Sequence, residues 1–278
     1  MNSNTLRPAI TGYGLVHPAG NAEELLRGLS SADFEGKDCG EAVASLADYF
    51  PRPALRRLPG YVRVGLLAAV RALESAALWP CPADMPIVIG SAYSCQKTSF
   101  DFMDSILDFG PKLASPLSFS HAVNNMAAGL FSLMLKSRGA CMTVNNSQLS
   151  FAGAMQTALT MLECGKAEKV LVGAVDEFDP RFAGLFPSKK LIPSAAFFCL
   201  GLSEEGIAVS VDWQDVQEPT ASFEADGKAL ALYSPGAEDS LFQALACAAF
   251  CAGGFRSASI AQSASEYDAA AVLRLQRA

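Results

Sequence analysis

The residue types able to do chemistry gather in one stretch, Gly139 to Ala154, GACMTVNNSQLSFAGA. Cys141 to Asn145 alternates apolar and polar residues as a strand does. From Phe151 onward the apolar positions repeat at helical spacing through MQTALTMLECG. Between them lies a tight strand-to-helix turn. Such a turn lifts one side chain off a sheet, and the helix N-terminus behind it offers unpaired N–H groups to an anion. A nucleophile placed there would carry a transferred group, but here the side chain is the amide of Gln148. Ser147 beside it has no G-x-S-x-G frame and no positioned base, which argues against a serine nucleophile. Cys141 falls inside the strand, where a small buried thiol is the plain reading.

The other reactive groups are scattered. The chain has two histidines. His17 sits in a Gly-rich turn, with a loop or core role expected, and His121 in SFSHAVNN stands ahead of a helix. Arg52, Arg56, Arg57 and Arg63 form a basic cluster in a chain of net charge −7, read on its own as a solvated face. Phe100, Phe102, Met103, Ile106 and Phe109 make an apolar stripe that, taken alone, reads as core packing. The eight cysteines include no C-x-x-C pair, which argues for free thiols rather than a disulfide framework. Cys247 and Cys251 are four apart with no histidine or carboxylate nearby, so no metal site is expected.

Composition sets the bounds. With 278 residues, 51% hydrophobic and 18% charged, the chain can bury a sizeable core as one large domain or two small ones. Its acidic balance argues against a nucleic-acid partner, which needs a basic surplus. No apolar run reaches the ~18 residues of a membrane span, and MNSNTLRPAI lacks a signal pattern, so a cytoplasmic protein is expected.

The elements that must position the turn follow in order. PAITGYGLVHPAG gives a strand into a Gly-rich turn, Ala22 to Leu29 reads as helix, and residues 30 to 50 read as loop with a short helix. Arg52 to Leu78 reads as one long helix with an apolar stripe through Val64, Leu67, Ala68, Leu73 and Ala76. Met85 to Ser91 is a buried strand, Ser99 to Phe109 a helix, GPKLASPLSF a loop, and Asn124 to Leu135 a helix leading to the central strand before Gln148. Further strands follow in VLVGAVDE, after the loop FDPRFAGLFPSKK at Ala195 to Gly201, and at Ile207 to Trp213. This βαβ alternation implies an open, mostly parallel sheet with helices on both faces. Then come a linker QDVQEPTASFEADGK, a strand-like ALALYS, a helix from Glu238 to Ala252, and a last strand from Ala269 to Leu275.

Read with its flanks, the Gln148 stretch resembles the nucleophile elbow of the β-ketoacyl synthases, thiolase-fold condensing enzymes of fatty-acid and polyketide synthesis. That elbow has the form T-A-C-(S/T)-(S/G), then a helix ending G-x-(A/C)-(D/E) and a strand into A-G-(G/A)-x-(D/E). This chain has NSQLS, a helix ending ECGKAE, and VLVGAVDE. Residues 8 to 20 resemble the family's opening V-T-G-x-G-x-x-(S/T)-P-x-G, and EYDAAAVLRLQR resembles its last strand without the preceding G-F-G-G-x-N loop. The cysteine position therefore falls on Gln148, as it does in the chain-length factors, which pair with an active synthase and condense nothing themselves.

The resemblance implies a thiolase-like α/β fold with a mixed or mostly parallel sheet, helices on both faces and a truncated second half. It implies a synthase-like half over 1–213 and a remnant of the other half over 214–278, packed on the same domain. No catalytic residue, cofactor or metal is implied, because neither histidine matches the family's second-half H-G-T and N-H motifs. A heterodimer with a ketosynthase is implied through the strand Met142, Thr143, Val144, Asn145, Asn146 and Ser147. Phe100, Phe102, Met103, Ile106 and Phe109 would line the acyl tunnel, and Arg56 and Arg57 would dock an acyl carrier protein. Two rival functions stay open: a malonyl carrier-protein decarboxylase using Gln148, since glutamine also stands at this place in decarboxylating loading domains, and a homodimeric module binding carrier protein or acyl chains.

Overall fold

Strand β1 (Arg7–Val16) carries the sequence TGYG because a helix lies directly on it. A Cβ at Gly14 would stand 2.0 Å from the carbonyl oxygen of Ala68, so any side chain there would push helix and strand apart. The computed structural model describes residues 6–20, 24–25, 39–177, 179, 181, 194–214, 220–225, 228–232, 241–264 and 269–278. Most of the helix read over Ala22 to Leu29 and most of the loop FDPRFAGLFPSKK lie outside them; Glu24 and Leu25, which are described, are helical.

After α1 (Gly40–Ala44) and a 3-10 turn, the long helix read over Arg52 to Leu78 is two helices, α2 (Arg52–Leu55) and α3 (Gly60–Ser75). Pro59 makes the break: it has no N–H for a continuing helix and disfavours helical backbone at Leu58. Pro59 instead precedes α3 with an extended ψ of 154°. Next come β2 (Ile87–Gly90), α4 (Gln96–Phe109), α5 (Pro116–His121) and α6 (Met126–Leu135). Helix α5 falls in a segment read as loop. Ser115 caps it by accepting from the Ser118 N–H at 3.2 Å, and Pro116 opens it.

The chain continues through β3 (Cys141–Val144), α7 (Ser150–Glu163), β4 (Lys169–Val175), β5 (Ala195–Ser203) and β6 (Ile207–Trp213). It closes with β7 (Thr220–Ala225), β8 (Lys228–Leu232), α8 (Phe242–Ala252), β9 (Ser257–Ala264) and β10 (Ala269–Arg277). Strand β7 lies where a linker was read, and β9 was missed.

The ten described strands form one sheet in the order β3-β2-β4-β5-β1-β6-β10-β9-β7-β8. The sheet is mixed, as expected, but only β3–β2 and β2–β4 pair in parallel; the other seven pairs are antiparallel. The mostly parallel sheet is thus corrected. Helical crossovers, which parallel neighbours require, link β2 to β3 and β3 to β4, whereas the six strands β5 to β10 follow one another with α8 as the one described helix among them. Strand β3 is also not central: it is the outer edge.

Consecutive residues of a strand face opposite ways, and β5 uses this to build two cores. Phe197 meets Phe131 of α6 at 5.3 Å between ring centroids, in the layer made by α3 and α6. Phe198 meets Phe151 of α7 at 5.6 Å, in the layer made by α7 and α8. Helix α8 is buried from Phe242 through Cys251 and touches β1, β5, β7 and β9, so the sheet wraps around it. The outward face of the later strands is polar instead, with Ser210, Arg274, Ser259 and Ser222 side by side in register.

No described helix is long and apolar enough to cross a membrane. The eight cysteines form no disulfide, and the described residues hold no cluster of His, Cys, Asp or Glu suited to a metal ion.

Candidate functional site

The carboxyl ends of β2, β3 and β4 lie side by side, since Gly90 pairs with both Val144 and Ala174. There the elbow forms. After Val144, the Leu149 N–H donates to the Asn146 carbonyl at 2.9 Å, the Ser150 N–H to the Ser147 carbonyl at 3.2 Å, and the chain enters α7. The buried Ser150 hydroxyl locks the turn, accepting from the Asn146 N–H at 2.9 Å and donating to the Ser147 carbonyl at 2.6 Å. Asn145 ties it to β2 by donating to the Ser91 carbonyl at 2.8 Å. Gly90 is what lets α7 start so close: a Cβ on it would meet the Ser150 carbonyl oxygen at 2.6 Å.

Ser147 takes the left-handed backbone of such a turn, with φ 47°. Gln148 follows, only 6% exposed, and its side-chain oxygen accepts the Ser147 hydroxyl at 2.5 Å. An amide has neither a lone pair basic enough to attack a thioester nor a proton acidic enough to protonate one. The elbow therefore presents a fixed polar group, not a nucleophile.

The two histidines lie at other elements. His17 follows β1, which is four strands from β3 in the sheet, about 19 Å at ~4.8 Å per strand. Its Nδ1 accepts the Ala19 N–H at 3.0 Å, and burial lowers its pKa to about 4, so it stays neutral. His121 ends α5.

Sequence reasoning missed the groups that anchor the mouth of the site. Asp176, just past β4, accepts through Oδ1 from the Ser91 hydroxyl at 2.5 Å, the Tyr93 N–H at 2.8 Å and the Ser94 N–H at 3.1 Å. Glu177 accepts through Oε2 from the N–H and the hydroxyl of Thr98, at 2.9 and 3.0 Å. It thereby satisfies one of the unpaired donors in the first turn of α4. Burial raises the Glu177 pKa, against those two bonds, which lower it. The signal was present as two carboxylates, VDE, ending a buried apolar strand, where charges need partners.

The expected interface strand sits on the edge. Met142, Thr143, Val144, Asn146 and Ser147 are half-buried or nearly so, and Asn145 is exposed. Ile87 N–H bonds to the Ala140 carbonyl and Ser91 N–H to the Val144 carbonyl, so alternate residues of β3 face β2. By that alternation the backbone groups of Cys141 and Thr143 point off the sheet.

Helix α4 contains no fully buried residue. Phe100, Phe102 and Ile106 are half-buried, whereas Met103 and Phe109 are exposed. Of the eleven exposed large apolar side chains among the described residues, seven lie between Met103 and Val123, and Leu133 on α6 is an eighth. That concentration is greater than the scatter usual for single surface apolar residues. Arg56 and Arg57 are exposed just after α2, well separated in sequence from this surface.

A strand-to-helix elbow at the carboxyl edge of a mixed sheet, with two buried helices enclosed by the curling strands, defines a thiolase-like architecture. The chain belongs to the β-ketoacyl synthase family: residues 48–268 match the model of the beta-ketoacyl synthase N-terminal domain. Among solved structures it is similar to the complex of the ketosynthase ApeO with its chain length factor ApeC from Xenorhabdus doucetiae, with TM-score 0.66 and 18% identity over 98% of this chain and 100% of the matched one. The ishigamide ketosynthase/chain length factor gives TM-score 0.68 and 16% identity over 98% and 99%. A beta-ketoacyl synthase from Burkholderia phymatum STM815 gives 0.65 and 15% over 98% and 100%. At these identities the likeness is one of fold.

Proposed function

We propose that this chain is a catalytically silent, chain-length-factor-like subunit that pairs with an intact ketosynthase and shapes its acyl tunnel in polyketide, aryl-polyene or fatty-acid-type synthesis. The observation carrying this reading is the buried Gln148 amide, held by Ser147 at the place of the family's nucleophile. Condensation needs a thiolate to carry the acyl chain and two histidines to decarboxylate malonyl and hold the enolate. This elbow has the first replaced and His17 far away and neutral.

The pairing surface in this reading is the open edge of β3, whose Cys141 and Thr143 backbone groups await a partner strand, with the exposed apolar side chains from Met103 to Val123. Helix α4 then bounds the growing chain through Phe100, Phe102, Met103, Ile106 and Phe109, and their bulk sets its length. Arg56 and Arg57 form the basic spot that draws an acidic acyl carrier protein. The ketosynthase–chain length factor complexes of similar fold support the pairing.

The test assays the isolated chain, an intact ketosynthase of the same organism, and the two co-expressed, each with acyl and malonyl carrier proteins. Product from the pair and none from the isolated chain is expected. β-Ketoacyl product from the isolated chain, or carbon dioxide released by it from malonyl carrier protein, would overturn the silent-subunit reading.

A further inference from the structure

Helix α4 is 14 residues long, yet none of its side chains is fully buried. Its apolar burial is partial, through Phe100, Phe102 and Ile106, and polar contacts add to it. At its N-terminal end these are the Glu177 bonds to Thr98. Along its length they converge on one side chain. The Arg181 guanidinium donates to Asp101 at 2.8 Å and to Asp104, both on α4, and stands over the Phe100 ring at 5.0 Å. Its other edge forks onto Asp179, with Nε to Oδ1 at 2.8 Å and Nη2 to Oδ2 at 2.7 Å. Lys97 adds an ion pair to Asp101.

A single exposed ion pair contributes little. This arrangement differs in two respects. The fork to Asp179 is bidentate, and the Asp179 side chain is only 4% exposed, so Arg181 is preorganised before it meets α4. Three carboxylates share one guanidinium, and Asp179 has its pKa lowered to about 2, first by the Arg181 hydrogen bond. Without Arg181, Asp179 would face Asp101 and Asp104 with the Lys97 ion pair to Asp101 left to offset them, and like charges would push α4 outward.

We infer that Arg181 is a positioning residue that fixes helix α4, and with it the width of the acyl tunnel. The tunnel part rests on the function proposed above; the fixing of α4 does not. Arg181 touches no reacting atom and acts through Asp101, Asp104 and Phe100.

Two measurements separate these parts. Hydrogen exchange on the chain alone compares the wild type, Arg181→Gln, and the triple variant Arg181→Gln/Asp101→Asn/Asp104→Asn. Amides of residues 99–109 should exchange roughly tenfold faster in Arg181→Gln, with α7 unchanged, and return most of the way in the triple variant, where the repulsion is gone. Unchanged exchange over 99–109 in Arg181→Gln, or equal acceleration in α7, overturns the positioning role.

Product lengths are then read from the complex with the ketosynthase. Arg181→Gln should broaden the distribution while leaving the amount of assembled complex unchanged, and the triple variant should narrow it again. Phe102→Ala, which leaves the clamp intact, serves as the tunnel control. A shift with Phe102→Ala and none with Arg181→Gln overturns the inference alone. No shift with either overturns the tunnel reading on which it rests.

Discussion

The hydroxyl of Ser147 donates to the side-chain oxygen of Gln148, in a turn where Ser147 itself holds a φ of 47°. The serine hydroxyl thus orients the amide, and among the described residues no base is bonded to either side chain.

Gln148→Cys should not create a synthase. A thiol at the start of α7 gains some thiolate character from the helix N-terminus and can accept an acyl group. Condensation still stalls, because the enolate lacks donors, and losing one such donor alone typically costs ~100- to 1000-fold. Mass spectrometry of the isolated variant with acyl and malonyl carrier proteins should show self-acylation at most. β-Ketoacyl product would reveal a catalytic group outside this account.

The elbow depends on the bare Cα of Gly90. Gly90→Ala places a Cβ against the Ser150 carbonyl oxygen at 2.6 Å, a backbone atom that cannot swing aside, so something rigid must move. Overpacking of this kind costs about 1–3 kcal/mol, which at about 2–4 °C per kcal/mol is a clear fall in the unfolding midpoint. Gly153→Ala meets a side chain, the Val144 Cγ1 at 2.9 Å, and should cost less. Equal midpoints for the two variants in a thermal melt would contradict this.

How legible all this was depends on the kind of signal. Helix α7 stood out through the periodic apolar positions it turns to one core, and β2 and β4 as continuous apolar runs that face both cores. The break at Pro59 was legible too, but the apolar stripe on either side masked it. Strands β7 (TASFEA) and β9 (SASIAQSA) were not, because Ser and Ala replace the β-branched residues that mark strands, one face being open to water. The place of β3 at the edge is a matter of long-range pairing order. So is the Arg181 clamp, whose partners on α4 lie 77 and 80 residues away in the chain.

Histidine 17 makes stability pH-dependent. Its pKa is about 4 folded against an ordinary value of about 6.5, so the unfolded chain binds more protons between these values. Its contribution is present above pH 6.5 and is lost as pH falls toward 4, by about 3 kcal/mol at most. Urea unfolding from pH 7 to 4 should show a steeper loss for the wild type than for His17→Gln. Parallel curves would mean that His17 titrates normally in the fold.

The β3 edge offers a test by position within one strand. The Thr143 N–H points off the sheet, so Thr143→Pro should leave the fold intact and weaken association with a ketosynthase. Val144 faces β2, so Val144→Pro should instead lower the unfolding midpoint. Thr143→Pro with undiminished association would remove β3 from the interface.

Native mass spectrometry of this chain co-expressed with an intact ketosynthase of its organism tests the central claim. A one-to-one complex, with the ketosynthase cysteine as its acylated residue, is the predicted result. A homodimer of this chain beside free ketosynthase, or an acyl group carried on this chain within the complex, would contradict it.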